Sequence, residues 1–258
     1  MNINSWEWFV AKFEALSKID LTAYKRPQME RRINSFMRSV GVENYSDFIN
    51  LLTRDHNIYR KFLDHITINV SEFFRNPTHW EVLRKEVVPM LLKERNSLKI
   101  WSAGCSTGEE PYSLAIAAKE DRWPLKEKIL ATDIDREVLE KADMGLYTAK
   151  TIETVPPSYV KKYFVQQGAH YRISDEIKQM VNFKQHNLLR DPFGTDFDLI
   201  LCRNVVIYFT EETKDKLYRR FAEALRPGGV IFIGSTEQIF NARNIGLKSI
   251  FTFFYQKI

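Results

Sequence analysis

The sequence predicts an α/β fold in which an open, mostly parallel sheet follows a helical N-terminal domain and carries a small inserted β-subdomain. Three observations lead to this prediction. Residues 5 to about 75 show apolar side chains at helical spacing, with few glycines. From Leu98 onward, short apolar runs alternate with helical segments, as they do in parallel sheets. Residues 145 to about 186 interrupt that alternation with Pro156-Pro157 and short β-like pieces.

The composition fits one large folded domain with a small satellite. Of the 258 residues, 44% are hydrophobic and 13% aromatic, which excludes a disordered chain. The net charge of +5 slightly favours an acidic partner, either nucleic acid or a carboxylate-rich protein. With neither a signal peptide nor a long apolar run, we expect a cytoplasmic protein without direct membrane insertion. Cys105 and Cys202 lack the spacing of metal ligands, so we expect no metal site.

The helical N-terminal domain, assigned with its linker to residues 1–76, is best defined between Pro27 and Val40. Four apolar side chains there recur at intervals of three and four and predict one buried stripe. They are Ile33, Phe36, Met37 and Val40. Arg31 and Arg38 then lie on the opposite, strongly basic face. That face is either an ordinary solvated surface or a docking surface for an acidic partner.

The second domain is assigned to residues 77–258. Asn76 is predicted to cap a helix that begins at Pro77 and runs toward Leu92. Because this helix directly follows the N-terminal domain, we expect it to connect the two domains. Further strands are predicted at 98–103, 129–132, 181–186, 197–202, 230–234 and, as a last edge strand, 250–258. Further helices are predicted at 112–119, 136–142 and 211–225, with a turn at 226–229.

A glycine-containing loop follows the first strand. Gly104 and Gly108 lack a Cβ, so the backbone can turn sharply there and approach a ligand closely. The loop matches neither of the common phosphate-binding patterns, and Glu109 and Glu110 occupy places where a phosphate would need donors. We therefore expect a ligand without phosphate. Glu110 would face a cationic group of that ligand, or else only complement the dipole of the following helix.

Asp133 stands at the end of the second strand, where ligands bind in open α/β sheets. Its two carboxylate oxygens can accept hydrogen bonds from both hydroxyls of a ribose. The alternative is helix capping, because Asp133 and Asp135 both precede a helix. Together with the glycine loop, the ribose interpretation is the stronger one.

Four segments, in the same order along the chain, resemble the chemotaxis receptor glutamate methyltransferases of the CheR type. They are Asn69–Arg75, Trp101–Ser113, Ala131–Asp135 and Cys202–Phe209. The resemblance spans nearly the whole chain. It implies a class I S-adenosylmethionine-dependent methyltransferase domain with a Rossmann-like sheet, the helical N-terminal domain, and an inserted β-subdomain at about 145–186. It also implies S-adenosylmethionine as methyl donor, with S-adenosylhomocysteine as product and no metal.

The resemblance further implies which residues contact the cofactor. They are Asn69, Ser71, Arg75, Glu110, Asp133, Asn187, Leu188, Arg203 and Asn204. Ser71 stands where some relatives have threonine, a substitution that keeps the hydroxyl. Cys105 stands where some relatives have alanine, so we expect no catalytic role for it. The implied partners are the cytoplasmic domains of methyl-accepting chemotaxis receptors, with Arg31 and Arg38 as docking residues.

A glutamate acceptor is already ionised at neutral pH, since its reference pKa is about 4.3, so the implied reaction needs no general base. Orientation and desolvation of the acceptor remain as the protein's tasks. Arg75 and Tyr208 suit them, because an arginine holds a carboxylate by two donors and a tyrosine hydroxyl orients one oxygen. The alternatives are an Arg75 paired with Glu72 or Glu109 and a Tyr208 that only fills the core.

Two rival functions remain open at this point. A nucleic-acid methyltransferase would fit the basic charge, but Cys202 lacks the preceding proline of cytosine-carbon enzymes, and Arg203-Asn204 does not resemble the signature of amino-nitrogen enzymes. A small apolar cysteine packed in a strand explains Cys202 better. A cofactor-responsive adaptor without catalysis is the second rival, and the presence of Arg75 and Tyr208 speaks against it.

Overall fold

The computed structural model describes residues 3–67 and 70–258. The chain forms two compact units. Of the described residues, the first unit comprises 3–67 together with 208–214, and the second comprises 70–207 and 215–258. No helix within the described ranges is both long enough and apolar enough to cross a membrane.

Four helices build the first unit. They are α1 (Trp6–Ser17), α2 (Arg26–Ser39), α3 (Tyr45–Arg54) and α4 (His56–Ile66). Side-chain oxygens cap three of them, because Ser5, Asn44 and Asp55 accept backbone N–H groups of the first turns of α1, α3 and α4. The core is aromatic: Phe48 lies 5.9 Å from Phe9 and 4.8 Å from Phe62 between ring centroids. This packing gives the unit its own hydrophobic core.

Helix α2 confirms most of the predicted stripe. Ile33, Phe36 and Met37 are buried, whereas Val40 lies just past the end of the helix and is only partly buried. Arg31 and Arg38 are exposed on the other face, as the periodicity predicts. Their exposure agrees equally with a solvated face and with a docking surface.

The second unit is built on a seven-stranded sheet. Its strands are β1 (Ile100–Ala103), β2 (Ile129–Asp133), β6 (Val181–Gln185), β7 (Phe197–Cys202), β8 (Leu225–Ile233), β9 (Leu247–Phe251) and β10 (Phe254–Lys257). Their order across the sheet is β6-β2-β1-β7-β8-β10-β9. The first five in this order pair in parallel, and β10 is antiparallel to both of its neighbours. The predicted α/β fold with a mostly parallel sheet is confirmed.

Helices connect and flank these strands. They are α5 (Pro77–Val82), α6 (Val88–Glu94), α7 (Glu109–Glu120), α8 (Arg136–Met144), α10 (Asp175–Lys178) and α11 (Glu211–Ala224). The helix predicted from Pro77 to Leu92 is continuous but contains a π-helical segment, Leu83–Val87. That segment lies just before Pro89, which cannot donate a backbone hydrogen bond.

A separate three-stranded antiparallel sheet forms the inserted β-subdomain. It consists of β3 (Leu146–Thr148), β4 (Phe164–Gln167) and β5 (His170–Ile173), in the order β3-β5-β4, and helix α9 (Pro157–Tyr163) precedes β4. This sheet ends at Ile173. Strand β6, although inside the predicted insertion of 145–186, pairs with β2 and belongs to the main sheet.

Two local predictions at the end of the chain were wrong. The segment 250–258 does not form one edge strand, because β9 and β10 form a hairpin in which β9 is the edge strand. The turn predicted at 226–229 lies within β8 and coincides with a register shift against β7. Buried Arg226 holds this segment in place through Asp198 and Glu94, with N–O distances of 2.5 and 2.7 Å.

Candidate functional site

The loops that follow β1, β2, β6 and β7 lie at one edge of the sheet, because these strands are parallel. Strained backbone occurs in two of these loops and in the segment before α5. Phe74, Asn76, Ser106 and Asn204 all have positive φ angles between 48° and 61°, which non-glycine residues rarely adopt. Strained backbone of this kind is common at ligand-binding sites.

The two loop glycines have the expected left-handed conformation, with φ of 84° at Gly104 and 94° at Gly108. A Cβ on Gly104 would lie 2.4 Å from Val205 Cγ2, and one on Gly108 would lie 2.9 Å from the Cβ of Ala142. Both glycines are therefore required for packing against neighbouring protein segments. The expected sharp turn is confirmed at both positions, and the close approach of the backbone to a ligand stays a prediction.

Asp133 lies at the carboxyl end of β2, and both of its oxygens face backbone donors. Its Oδ2 accepts the N–H of Ser106 at 2.8 Å, and its Oδ1 accepts the N–H of Asp135 at 3.1 Å. Burial raises the pKa of Asp133 to about 6, although these hydrogen bonds act in the opposite direction. Asp135, which accepts the N–H of Glu137 at 2.9 Å, is the N-cap of α8. The capping alternative therefore applies to Asp135, and Asp133 instead ties the glycine loop to β2.

Glu110, in the first turn of α7, pairs with Arg203, the first residue after β7. The distance between Arg203 Nη1 and Glu110 Oε2 is 3.5 Å, and Ser102 donates to the other carboxylate oxygen at 2.7 Å. Burial raises the pKa of Glu110, and the positive charge of Arg203 opposes that shift. Glu110 thus places a buried carboxylate, paired with Arg203, close to the glycine loop.

Arg203 also fixes the segment that precedes α5. Its Nη2 donates to the carbonyl of Arg75 at 2.8 Å and to Oδ1 of Asn76 at 3.0 Å. Asn76 occupies the N-cap position of α5 with φ of 60° but makes no capping hydrogen bond with its side chain. The predicted N-cap position and the helix start at Pro77 are confirmed, but the side-chain oxygen of Asn76 accepts from Arg203 instead of capping the helix. The charge of Arg75 in turn acts on both Glu110 and Arg203.

A second buried carboxylate, Glu109, lies beside Glu110. Thr107 donates its hydroxyl to this carboxylate at 2.8 and 2.9 Å from the two oxygens, and the hydroxyl of Ser71 forms a further hydrogen bond with it. Burial raises the pKa of Glu109. Tyr147 of β3 donates to the carbonyl of Thr107 at 2.8 Å. Ser71, which the resemblance assigns to the cofactor, is thus placed at the glycine loop.

The turn after β6 carries Asn187 and Leu188. Asn187 Oδ1 accepts the N–H of Leu189 at 2.9 Å, and its own N–H donates to Asp191 at 2.8 Å. Arg220 of α11 donates to the carbonyl of Leu188. These bonds give the turn a defined shape at the same edge of the sheet as Asp133.

Several buried polar atoms at this edge have no hydrogen-bond partner among the described residues. Two oxygens are among them, Ser106 Oγ in the glycine loop and Asn204 Oδ1 in the loop after β7. Buried polar groups are nearly always hydrogen-bonded, so these atoms fit a ligand that supplies hydroxyl or ammonium donors. S-adenosylmethionine carries both kinds of donor on its ribose and its amino group, and so does S-adenosylhomocysteine.

Four further predicted residues do not belong to the described part of the second unit. Asn69 is outside the described residues. Tyr208 belongs to the helical unit, where its carbonyl accepts the N–H of Lys25 at 2.9 Å. Arg31 and Arg38 lie on exposed α2 of the same unit. The catalytic role of Tyr208 and the docking role of the two arginines stay predictions.

Both cysteines are buried and unreactive in character. Cys105 is 1% exposed and Cys202 is fully buried in β7, and burial raises the pKa of both thiols. The thiolate is the nucleophilic form, so a thiol with a raised pKa is a poor nucleophile near neutral pH. This supports the interpretation of both cysteines as small core residues.

Several polar residues of the site could not be predicted from their surroundings in the sequence. Ser102, Glu109, Arg220 and Glu237 are the clearest examples. Ser102 reads as an ordinary strand residue, and Arg220 as a solvated helix residue. Of these four, only Glu109 has a sequence feature that points to the site. It stands beside Glu110 in the glycine loop, where acidic side chains are unusual.

Comparison with known proteins agrees with this geometry. A family model described as the SAM binding domain of CheR methyltransferase matches residues 69–252, and one described as the all-alpha domain of CheR methyltransferase matches residues 4–67. The chain is 44% identical to a chemotaxis protein methyltransferase of Listeria innocua over 93% of this chain and 92% of that protein.

Two more distant relatives carry the same description. A chemotaxis protein methyltransferase of Borreliella burgdorferi is 36% identical over 88% of this chain and 85% of its own length. The corresponding protein of Salmonella typhimurium is 34% identical over 86% of this chain and 80% of its own length. Because two family models together span residues 4–67 and 69–252, and relatives match over most of their length, the chain belongs to the CheR methyltransferase family, with a class I methyltransferase fold and a methylation function in chemotaxis.

Proposed function

We propose that this protein transfers the methyl group of S-adenosylmethionine to glutamate side-chain carboxylates of methyl-accepting chemotaxis receptors in the cytoplasm, forming glutamate methyl esters. The membership in the CheR family and the chemotaxis methyltransferases among its relatives support this proposal. The modified glutamates would then serve chemosensory adaptation. The names of the relatives give the process, and the acceptor atom is our inference from chemistry.

The acidic character of the site carries the cofactor part of the proposal. Asp133, Glu109 and Glu110 lie in or beside the glycine loop, and burial raises the pKa of all three. A cluster of carboxylates that are buried away from solvent disfavours a bound phosphate and favours a bound cation. S-adenosylmethionine, with its sulfonium and ammonium charges and no phosphate, fits such a site.

Specific residues are available for each part of the cofactor. Each carboxylate oxygen of Asp133 accepts one backbone hydrogen bond and keeps a further lone pair, which can accept a hydrogen bond from a ribose hydroxyl. Glu110 and Asn204 can accept hydrogen bonds from the ammonium group. Asn204 Oδ1 is available for this because it is buried without a partner among the described residues. We expect the turn at Asn187 and Leu188 to border the base. When bound, the cofactor supplies an activated methyl group.

The protein's own task is to hold the acceptor. A glutamate carboxylate is ionised at neutral pH and requires no proton transfer. Arg75 can orient it through two parallel donors, with Tyr208 as a further hydrogen-bond donor. Orientation and removal of water are the expected contributions to the rate. We expect Arg75→Ala and Tyr208→Phe to lower kcat, with only the arginine change also weakening cofactor affinity.

The proposed partner is the cytoplasmic region of the receptors, which would dock on the exposed basic face of α2 that carries Arg31 and Arg38. Nucleic acid is the rival substrate. The buried thiol of Cys202 has a raised pKa and makes an unsuitable nucleophile for cytosine-carbon methylation. We therefore exclude nucleic acid from the proposed partners.

A labelling experiment tests the proposal. The purified protein is incubated with S-adenosylmethionine labelled in the methyl group, together with receptor cytoplasmic fragments, RNA or DNA. We expect label on the receptor fragments only, and its loss when the acceptor glutamates are replaced by alanine. Label on nucleic acid, or on receptor fragments without those glutamates, would overturn the proposed substrate.

A further inference from the structure

We infer that Glu237 is a positioning residue for the cofactor site: its buried carboxylate holds the loop after β7 in the conformation that presents Asn204 and Arg203. This inference rests on the proposed function and deepens it. Glu237 lies in the segment after β8, and the family resemblance assigns no role to it. It is only 5% exposed, although an isolated carboxylate is costly to bury.

One backbone hydrogen bond holds the carboxylate of Glu237, and the loop after β7 lies close to it. Its Oε2 accepts the N–H of Gly234 at 2.6 Å, while the N–H of Glu237 itself donates to the carbonyl of Gly234 at 3.0 Å. The N–H groups of Asn204 and Val206 also act on the carboxylate. Its Oε1 makes no hydrogen bond of standard geometry with the described residues, so these two groups act at longer range.

Gly234 completes the contact between the two loops. A Cβ at this position would lie 2.7 Å from the backbone nitrogen of Asn204 and 2.8 Å from Glu237 Oε2. Any side chain at position 234 would therefore push the loop after β7 away. The glycine and the carboxylate together form a support for the backbone of residues 204–206.

The supported loop contains the residues that the site needs in fixed positions. Asn204 has φ of 61°, and its buried Oδ1 has no partner among the described residues. Such a conformation persists only when the surroundings enforce it. Arg203 is tied through its side chain to Glu110 and Asn76, and the negative charge of Glu237 adds a favourable interaction. Glu237 thus restrains the backbone of the loop after β7, and Arg203 restrains the same loop through the contacts of its guanidinium group.

A role in positioning differs from a role in stability, because a positioning residue affects the ligand affinity of the folded protein. The decisive measurement is the Kd for S-adenosylhomocysteine, by calorimetry, of folded Glu237→Ala at a temperature well below its unfolding midpoint. We expect the Kd to rise at least about tenfold. Glu237→Gln, which keeps one acceptor oxygen and the volume, should lie between the wild type and Glu237→Ala.

Asp198→Asn is a matched control. Asp198 is 3% exposed, accepts the backbone N–H of Lys99 at 2.8 Å and pairs with Arg226, but it lies near the start of β7, at the opposite end of that strand. This variant should unfold at a lower temperature and bind S-adenosylhomocysteine like the wild type. In an Asn204→Ala background, Glu237→Ala should change the Kd by a smaller factor than it does in the wild type, because part of its effect passes through Asn204.

The possible results separate the inference from the proposed function. If the wild type does not bind S-adenosylhomocysteine, the proposed function fails. If the wild type binds and folded Glu237→Ala binds within about twofold of it, the positioning role is wrong and Glu237 only stabilises the fold. Should Glu237→Ala not fold, Glu237→Gln decides: an unchanged Kd overturns the inference, and a weaker one supports it.

Discussion

Arg203 and Glu110 form an ion pair that is withdrawn from solvent. Arg203 Nη1 lies 3.5 Å from Glu110 Oε2, and the two side chains are 2% and 13% exposed. Burial lowers the pKa of Arg203 and raises that of Glu110, so each charge depends on the other. The pair joins the loop after β7 to the first turn of α7. It therefore joins two of the loops that build the proposed cofactor site.

Removing one partner of this pair should destabilise the protein. Glu110→Gln leaves the buried charge of Arg203 without its counter-ion, and we expect a loss of about 3 kcal/mol in the free energy of unfolding. Urea denaturation without ligand measures this loss. Glu140→Gln is the control, because Glu140 pairs with Arg136 on the surface, with side chains 61% and 79% exposed. Equal losses in both variants would contradict the importance assigned to the buried pair.

Asp133→Ala should weaken binding of S-adenosylhomocysteine by about 1.5 to 3 kcal/mol. The change removes the proposed acceptor of the ribose hydroxyls and also the tie to the N–H of Ser106. Calorimetry on the variant, with circular dichroism to establish that it is folded, gives the value. Unchanged affinity in a folded variant would refute the ribose role.

The pKa of Asp133, which burial raises to about 6, predicts a pH dependence. Since this pKa is higher in the folded than in the unfolded state, the stability that Asp133 contributes is present below about pH 4 and is lost as pH rises through 6. Ribose hydroxyls donate to the ionised form, so affinity for S-adenosylhomocysteine should fall below pH 6, by up to about tenfold per pH unit.

Asp133→Asn serves as the comparison for this pH dependence. Its side chain does not titrate, so its affinity should be lower overall but should change less with pH between 5 and 7 than that of the wild type. Glu109 and Glu110 titrate in both proteins, and the difference between the two curves isolates Asp133. Parallel curves would show that the ionisation of Asp133 is not linked to binding.

The basic face of α2 should matter for the receptor and not for the cofactor. We expect Arg31→Glu combined with Arg38→Glu to raise the KM for receptor fragments and to flatten its dependence on salt. Arg136→Glu with Lys141→Glu makes the same change of charge on exposed positions of α8 and should leave the KM unaltered. If the α2 variant methylates receptor normally at all salt concentrations, this face is only solvated.

Much of the fold follows from local patterns in the sequence. The alternation of apolar runs and helices predicted the five parallel strands β1, β2, β6, β7 and β8, and the parallel arrangement placed the loops after them at one edge. The hairpin of β9 and β10 was missed because its tight turn, Thr252-Phe253, contains neither glycine nor asparagine. Phe253 adopts φ of 69°, a conformation that its residue type does not suggest.

The site was less predictable, because its polar contacts join distant parts of the chain. Asp133 and Glu110 could be recognised, since each follows a strand or opens a helix in the expected place. The partner of Asn76 is Arg203, and Gly234, which donates its N–H to Glu237, lies against the backbone nitrogen of Asn204 in the loop after β7. Such pairings depend on the order of strands in the sheet, which spacing along the sequence does not give.

The chemical nature of the product tests the central claim most directly. Receptor fragments labelled by this protein are treated with mild alkali, and released methanol is measured. A glutamate methyl ester releases its label as methanol, whereas N-methyl and C-methyl products keep it. We expect nearly complete release, and no ascending limb of the chemical step between about pH 6 and 9, because a carboxylate needs no deprotonation in that range. Label that survives alkali would contradict methyl transfer to a carboxylate.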